Sequence, residues 1–311
     1  MDVLVTGGAG FIGANLCRAL RDCPRIGRVI ALDDLSTGSR ENLDGVDVEL
    51  VVGSILDPDV LARVSRDMDS VVHLAARPSV PRSLEDPVAT HHSNATGTLL
   101  VLEAARLGSR PQVIVASSSS VYGANPKLPK SEDMVAMPMS PYAASKLATE
   151  SYALAHGRSF QMDVLAFRFF NVFGPLQAAD HAYAAVVPEF ISAALKGEPL
   201  VVHGDGAQTR DFTYVGSVAS VLVDAVCRRV TSESPVNLAF GSRVSVLELI
   251  AKLEGVLGRP LGRRHTDSRV GDVRDSQADQ TRLQKLFGDA QPVPLGDGLM
   301  TTVSWFEAGL H

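Results

Sequence analysis

Tyr142 and Lys146 stand four residues apart in the stretch SPYAASK at 140–146. Side chains at that spacing share one face of a helix, which would set an ammonium beside a phenol. A free phenol, with a pKa near ~10, is a poor base at neutral pH. Lowering it by about 3 units takes roughly 4 kcal/mol of differential stabilisation of the phenolate. A lysine and a second cation nearby can supply that, and the pair then becomes an acid–base group. The plain reading of the same residues is an amphipathic helix start with a snorkelling lysine.

A second cluster supplies the partner for such a base. VTGGAGFIGANL at 5–16 contains Gly8, Gly10 and Gly13 in the spacing G-x-G-x-x-G, and Gly7, Gly10 and Gly13 in G-x-x-G-x-x-G. Glycines are needed where a Cβ would hold the backbone away from a pyrophosphate seated on a helix N-terminus. Asp33 lies 20 residues beyond Gly13, where a carboxylate accepts hydrogen bonds from an adenosine ribose 2′-hydroxyl. An acid there repels a 2′-phosphate, so NAD is expected over NADP, and its cationic nicotinamide would assist Lys146 in stabilising the phenolate. Without a ligand, the glycines make a tight turn and Asp33 a solvated turn residue.

These groups need elements to hold them. Apolar, β-branched runs at 2–6, 28–34, 46–53, 70–76, 112–118 and 163–170 alternate with helix-length segments at about 11–22, 57–66, 94–107 and 140–156. Most of the runs are apolar on both faces, as strands buried between two helical layers are. The pattern predicts an α/β fold built on a doubly wound parallel sheet. Its strand ends would bring together the glycine turn, the serine cluster SSSSVYG at 117–123 and the Tyr142 helix. We expect residues 1–175 to form the nucleotide-binding domain and 176–311 a smaller α/β domain, with 211–241 packing back on the first.

Composition removes other classes. The 311 residues are 45% hydrophobic and 21% charged with a net charge of −6, enough to bury a large core. No basic run is present, so nucleic acid is not an expected partner. The three cysteines and eight histidines lack metal-ligand spacing, so reduced thiols and no metal are expected. No apolar stretch approaches the ~18 residues of a membrane span, and Met1 leads into the first strand without a leader pattern. A cytoplasmic protein without a membrane partner is expected.

With TGGAGFIG (6–13), DDLSTG (33–38), HLAA (73–76), NATGT (94–98), SSSSVYG (117–123), SPYAASK (140–146), RFFNVFGP (168–175), RDFTYV (210–215) and RVGDVRDSQAD (269–279), the chain resembles the extended short-chain dehydrogenases/reductases. Within them it is similar to the nucleotide-sugar epimerases and dehydratases, along nearly its whole length. The resemblance implies a Rossmann fold, NAD, a nucleotide-diphosphate sugar and a homodimer built on the helices near 94–107 and 140–156. It makes Tyr142 the base, Lys146 its partner and ribose ligand, and Ser118 the hydroxyl that bonds the sugar O4. Toward the cofactor it implies Gly7, Gly10, Phe11, Ile12, Gly13, Asp33, Ser36, Thr37, Gly38, Ile55, Leu74, Ala75, Ala76 and Asn94. Ser54 stands where the family often carries an acid for adenine; it can hydrogen-bond that ring without charge, and Asp57 or backbone groups are the other candidates there. Toward the substrate it implies Arg82, Ser119, Asn171 and Gln177, with Arg210 and Arg269 on the diphosphate, Asp272 on the ribose, and Val187 and Val202 along the base.

The same resemblance narrows the reaction. A dehydratase needs acids after its catalytic hydroxyl, and Ser118 is followed by Ser119 and Ser120. Oxidation at C4 then has no elimination to follow, which favours 4-epimerisation by return of the hydride to the other face. The alternatives are a dTDP-hexose or UDP-uronate 4-epimerase, a 4-ketoreductase or dehydratase, and, more distantly, a non-catalytic NAD sensor. Leu176, Gln177, Ala178 and Ala179 follow NVFG without a cation, which disfavours a uronic acid and leaves Arg82 as the one basic candidate. Ser276, four after Asp272, occupies the position that sets pocket room in the related 4-epimerases. Its small side chain predicts that N-acetylhexosamines enter as well as glucose and galactose.

Overall fold

A computed structural model describes residues 1–179, 184–267 and 274–309. Six strands follow the apolar runs: β1 (Val3–Thr6), β2 (Val29–Asp33), β3 (Glu49–Val52), β4 (Ser70–His73), β5 (Gln112–Ser118) and β6 (Val164–Phe169). With the short strand Val236–Leu238, which adds on beside β6, they form a 7-stranded sheet in the order Val236–Leu238, β6, β5, β4, β1, β2, β3. Every pairing in it is parallel. The chain runs outward from β1 through β2 to β3 and then crosses to β4 on the other side, so the strand order reverses at β1. Crevices for ligands open at such a reversal, beyond the carboxyl ends of the strands.

Both faces of the sheet are covered. Val3 and Val5 of β1, and Leu165 and Phe167 of β6, pack with α1 (Phe11–Arg21) on one face, together with Val218, Val221 and Leu222 from a later helix, Val215–Arg228. The intervening Leu4, Val164 and Ala166 point the other way, into a core shared with α2 (Pro58–Val64) and with the helices Gly97–Leu107 and Pro141–Phe160. Successive strand residues alternate faces, so a strand feeding two cores must be apolar throughout. Between α2 and Gly97–Leu107 the chain forms two short helices, α3 (Val80–Glu85) and α4 (Pro87–His91), and a wide π-type turn at His92–Thr96; Gly97–Leu107 is α5 and Pro141–Phe160 is α6.

A third core lies beyond the sheet. It gathers α7 (Val186–Lys196), the strand pair Leu200–His203 and Arg263–Thr266, α9 (Val246–Leu257) and α11 (Leu295–Ala308) around Phe190, Ile191, Leu249, Leu253, Leu299 and Val303. The helix Val215–Arg228, α8, belongs to the first core, as does α10 (Thr281–Leu286) through Leu283. Two small strand pairs link the parts: Val172–Phe173 with Thr213–Tyr214, and Thr209–Arg210 with Val244–Ser245. A buried polar knot closes the seam. Arg168 grips Glu150 through two hydrogen bonds of 2.9 and 2.6 Å and stacks over Tyr122, whose hydroxyl donates to Asn237 at 2.6 Å.

Candidate active site

A cavity of about 840 Å³ runs along the carboxyl ends of β1 to β6. At one end the glycine turn frames it. Gly7 has φ +70, and a Cβ there would lie 2.7 Å from the Ala75 nitrogen, while one on Gly13 would strike the Gly7 carbonyl. Those two glycines are required by the protein's own backbone. Gly10 is different: an added Cβ would meet only the Gly7 oxygen, at 3.3 Å, and the residue lines the cavity. It also precedes α1, and no side chain caps that helix. Its first N–H groups, at the cavity-lining Phe11, Ile12 and Gly13, are therefore left to an anion. This is the cradle that a pyrophosphate fits.

Asp33 ends β2 and accepts from the Ala9 nitrogen at 3.0 Å and the Leu35 nitrogen at 2.9 Å. Burial raises its carboxyl above the ordinary carboxylate value, against the pull of those bonds. Ser36, Thr37, Ser54, Ile55, Leu74, Ala75 and Ala76 line the cavity with it. Asp57 does not, because its carboxylate caps α2 by accepting from Asp59 and Val60. Two expected cofactor residues lie behind the wall. Gly38 packs against Ala9 and the Asp33 carboxylate. Asn94 is buried, accepting from the Arg77 nitrogen at 2.7 Å and donating to the Ser145 hydroxyl at 2.9 Å, so it holds the wall in place.

At the other end, Ser118 finishes β5 and Tyr142 opens α6. The helix starts there because Ser140 caps it, accepting from the Ala143 nitrogen at 3.1 Å, with Pro141 in its first turn. Two bonds fasten helix to strand: the Ser117 hydroxyl donates to the Lys146 carbonyl at 3.1 Å, and the Lys146 ammonium donates to the Ala116 carbonyl at 2.9 Å. Ser120 donates to the Ser118 hydroxyl at 2.9 Å, and Ser118 and Tyr142 both line the cavity.

Burial pushes the Tyr142 phenol above its ordinary value, and the Ser118 hydroxyl only opposes it. One of the three Lys146 donors goes to the Ala116 carbonyl, which leaves its charge and two donors for a neighbour. Burial lowers Lys146 to about 8, which still leaves it largely cationic at neutral pH. Beneath it, burial and then the Lys146 charge lower His73 to about 3. This neutral imidazole bridges Thr6 at 2.7 Å and Thr98 at 3.0 Å, joining β1, β4 and α5.

Asn171 and Gln177 also line the cavity. Asn171 donates to the Asp211 carbonyl at 3.2 Å, and Gln177 donates to the Val172 carbonyl at 3.2 Å while its buried Oε1 has no partner. Asn15 of α1 donates to the Pro175 carbonyl at 3.0 Å and so ties their loop to the glycine helix.

Other substrate residues do not meet this cavity. Val187 and Val202 are buried in the third core, in one cluster with Phe190 and Leu249. Ser119 is turned into the short helix after β5 and is not part of the lining, and Arg210 donates to the Thr209 and Arg274 carbonyls at 2.9 and 3.0 Å. Ser276 is half-buried outside the lining, its nitrogen donating to the Thr209 carbonyl at 3.1 Å. Arg269 and Asp272 lie outside the described residues.

Arg82 lines the cavity as expected but is not the one basic group: Arg77 lines it too. Arg77 sits 3.5 Å from Asp86, and its Nε is buried without a partner. An arginine directly after the small residues that end HLAA was the available signal. Ser93 and Asp34 were also missed; nothing in their immediate sequence sets them apart from turn residues.

The chain is 38% identical over 313 residues to a UDP-glucose 4-epimerase of Mycolicibacterium smegmatis, covering 98% of each. Among solved structures it is similar to a UDP-N-acetylglucosamine 4-epimerase from Methanobrevibacter ruminantium in complex with UDP-N-acetylmuramic acid. That likeness has a TM-score of 0.93 at 36% identity, over 99% of this chain and 98% of the other. A UDP-glucuronic acid 4-epimerase from Bacillus cereus, solved with UDP-glucuronic acid and NAD, gives a TM-score of 0.90 at 30% identity over the full length of both. No helix among the described residues is long and apolar enough to cross a membrane. The glycine cradle, the Tyr–Lys helix and the sheet reversal between them all fall within residues 3–239, where the sequence matches the NAD dependent epimerase/dehydratase family, and to that family this chain belongs.

Proposed function

We propose that the chain is an NAD-dependent 4-epimerase of nucleotide-diphosphate hexoses, acting on UDP-glucose and UDP-galactose and also on their N-acetyl forms. One observation carries the reading: among the described residues, the cavity's only carboxylates, Asp33 and Asp34, belong to the β2 end, and the Ser118–Tyr142 end offers hydroxyls and an ammonium. That equipment moves a proton at C4 and has no acid with which to expel a neighbouring group. The relatives that act on UDP-sugars support the substrate class.

Tyr142 takes the C4 hydroxyl proton while Ser118, itself held by Ser120, orients O4. Lys146, anchored on Ala116, keeps a positive charge beside the phenolate. When bound, NAD would supply the acceptor for the C4 hydride and its return. Gly10 and the first turn of α1 would hold its pyrophosphate, and Asp33 its ribose. The 4-keto sugar turns over between the two transfers, and Tyr142 gives the proton back. Gln177 offers its spare oxygen to a sugar hydroxyl; the family pattern assigns Arg210, Arg269 and Asp272 to the diphosphate and ribose and Ser276 to the room at C2, with Arg210 and Ser276 standing outside the cavity lining of the described residues.

A homodimer through α5 and α6 completes the proposal, supported by Leu107, Tyr152 and Phe160 left exposed on those helices. So does a cytoplasmic location, supported by three free thiols. The deciding experiment assays UDP-glucose, UDP-galactose, both N-acetyl forms, UDP-glucuronate and dTDP-glucose. Interconversion of the four neutral UDP-sugars is expected, with Ser276→Tyr removing only N-acetylhexosamine turnover. Efficient conversion of UDP-glucuronate in preference to all four would overturn the neutral-hexose reading and point to Arg77 and Arg82.

A further inference from the structure

Cys23 and Cys227 lie 204 residues apart in sequence, yet their sulfurs approach to 3.6 Å. Cys23 sits in the turn after α1, its nitrogen donating to the Leu20 carbonyl at 3.1 Å and its carbonyl accepting from the Ile26 nitrogen at 3.0 Å. Cys227 lies in the last turn of α8. The Arg25 guanidinium spans the gap by donating to the Cys227 carbonyl at 2.7 Å. Both backbones are therefore held at the place where the thiols meet. A disulfide needs its sulfurs at about 2.05 Å, so closure asks for a movement of about 1.5 Å.

We propose that Cys23 and Cys227 form a dithiol site that closes reversibly to an intramolecular disulfide when a small-molecule disulfide is the oxidant. Cys23 is half-buried and therefore the accessible member, and Cys227 is 9% exposed behind it. The Cys23 thiolate attacks one sulfur of the oxidant, releasing the first small thiol and leaving a mixed disulfide. Cys227 then gives up its proton and attacks the Cys23 sulfur, forming the protein S–S bond and releasing the second small thiol. The two protein thiols are oxidised, and the oxidant's S–S bond is reduced to two thiols. Burial and then the Cys23 thiol beside it raise Cys227, and Arg25 only opposes them, so Cys23 is the attacking thiol and Cys227 the resolving one.

The closed form staples the helix that carries the glycine turn to α8. Leu16, Leu20, Val218, Leu222 and Ala225 of these helices already share one core, and a cross-link closing so long a loop restricts the unfolded chain most. The third thiol is an internal control. Cys17 is fully buried, and burial pushes it up to about 12, so it stays reduced.

The test treats the full-length holoenzyme with oxidised glutathione and counts thiols after denaturation. Of the three cysteines, one should still titrate. The intact mass should fall by two hydrogens with no glutathione attached, a 23–227 linked peptide should appear, and the melting temperature should rise and return on reduction. Cys17→Ser should form the same link, and Cys227→Ser should stop at a glutathione adduct on Cys23. Three titrating thiols, a stable adduct on the unaltered chain, or a link only between two chains would each overturn the proposal.

Discussion

A half-buried phenol on a cavity wall gives up its proton against its surroundings. For Tyr142 the burial that raises its pKa is opposed within the chain by Ser118, so the remaining stabilisation has to come from Lys146 and from the cofactor's positive ring. Tyr142→Phe keeps the ring packing and deletes only the transferred proton. We expect kcat to fall by ~10²- to 10⁴-fold, the usual contribution of a general base, with NAD still bound. A variant retaining a tenth of the turnover would dismiss Tyr142 as the base. Arg77 invites the complementary measurement. Its Nε is buried and unpartnered on the cavity wall, and an unmet donor there costs ~1–3 kcal/mol unless a ligand meets it. Arg77→Met should therefore weaken one ligand by ~10-fold or more while kcat changes little. Separate titrations with NAD and with UDP show which ligand it is, and unchanged affinity for both would return Arg77 to its ion pair with Asp86.

At the scale of elements, Asp211 joins what the strand pairs leave apart. It is fully buried between the strands Thr209–Arg210 and Thr213–Tyr214, and accepts from the Ser242 nitrogen and hydroxyl at 3.2 and 2.9 Å and from the Ala278 nitrogen at 3.0 Å. One carboxylate thus holds the turn after Gly241 and the segment that carries Ser276. Burial raises it to about 6 despite these bonds. The folded chain then keeps a proton that the unfolded chain releases near ~3.9. Its contribution to stability is fully present below that pH and is lost as pH rises through about 6. Two pKa units correspond to ~3 kcal/mol. Asp211→Asn keeps an acceptor but cannot titrate, so the difference in unfolding free energy between the two proteins should change in the variant's favour from pH 4 to 7. Parallel pH profiles would show that Asp211 does not titrate in the folded protein.

Across the whole molecule, the cofactor site is made by parts that meet only when the sheet is complete. Gly7 rests on the end of β4, Asp33 comes from β2, and Asn15 ties α1 to the loop after β6. NAD should therefore bind the folded chain and not the unfolded one. Free cofactor at a thousand times its dissociation constant then adds ~4 kcal/mol of stability. Stripping NAD should lower the melting temperature by several degrees, restored by NAD and restored less by NADP, whose 2′-phosphate meets Asp33. Equal rescue by both would remove the discrimination assigned to that carboxylate.

The sequence by itself determined the sheet, the glycine turn and the Tyr142–Lys146 face. Strand runs apolar on both faces have one stable home, between two helical layers, and a spacing of four residues brings two side chains together within a single helix. These are local relations, readable from neighbours in the chain. Only the tertiary structure decided what each face meets. Val187 and Val202 are apolar enough for a base pocket or for a core, and contacts with distant helices put them in the core. Helix α6 buries Ser145, Lys146, Thr149 and Glu150, because β5 and Arg168 of β6 receive polar groups there; no hydrophobic pattern announces such a face. Arg77 enters the cavity because Asn94 clamps its backbone from 17 residues away. Cys23 meets Cys227 because α1 and α8 cover the same strands. Periodicity records which residues share a face, and the partner of that face is set by packing between segments far apart in the chain.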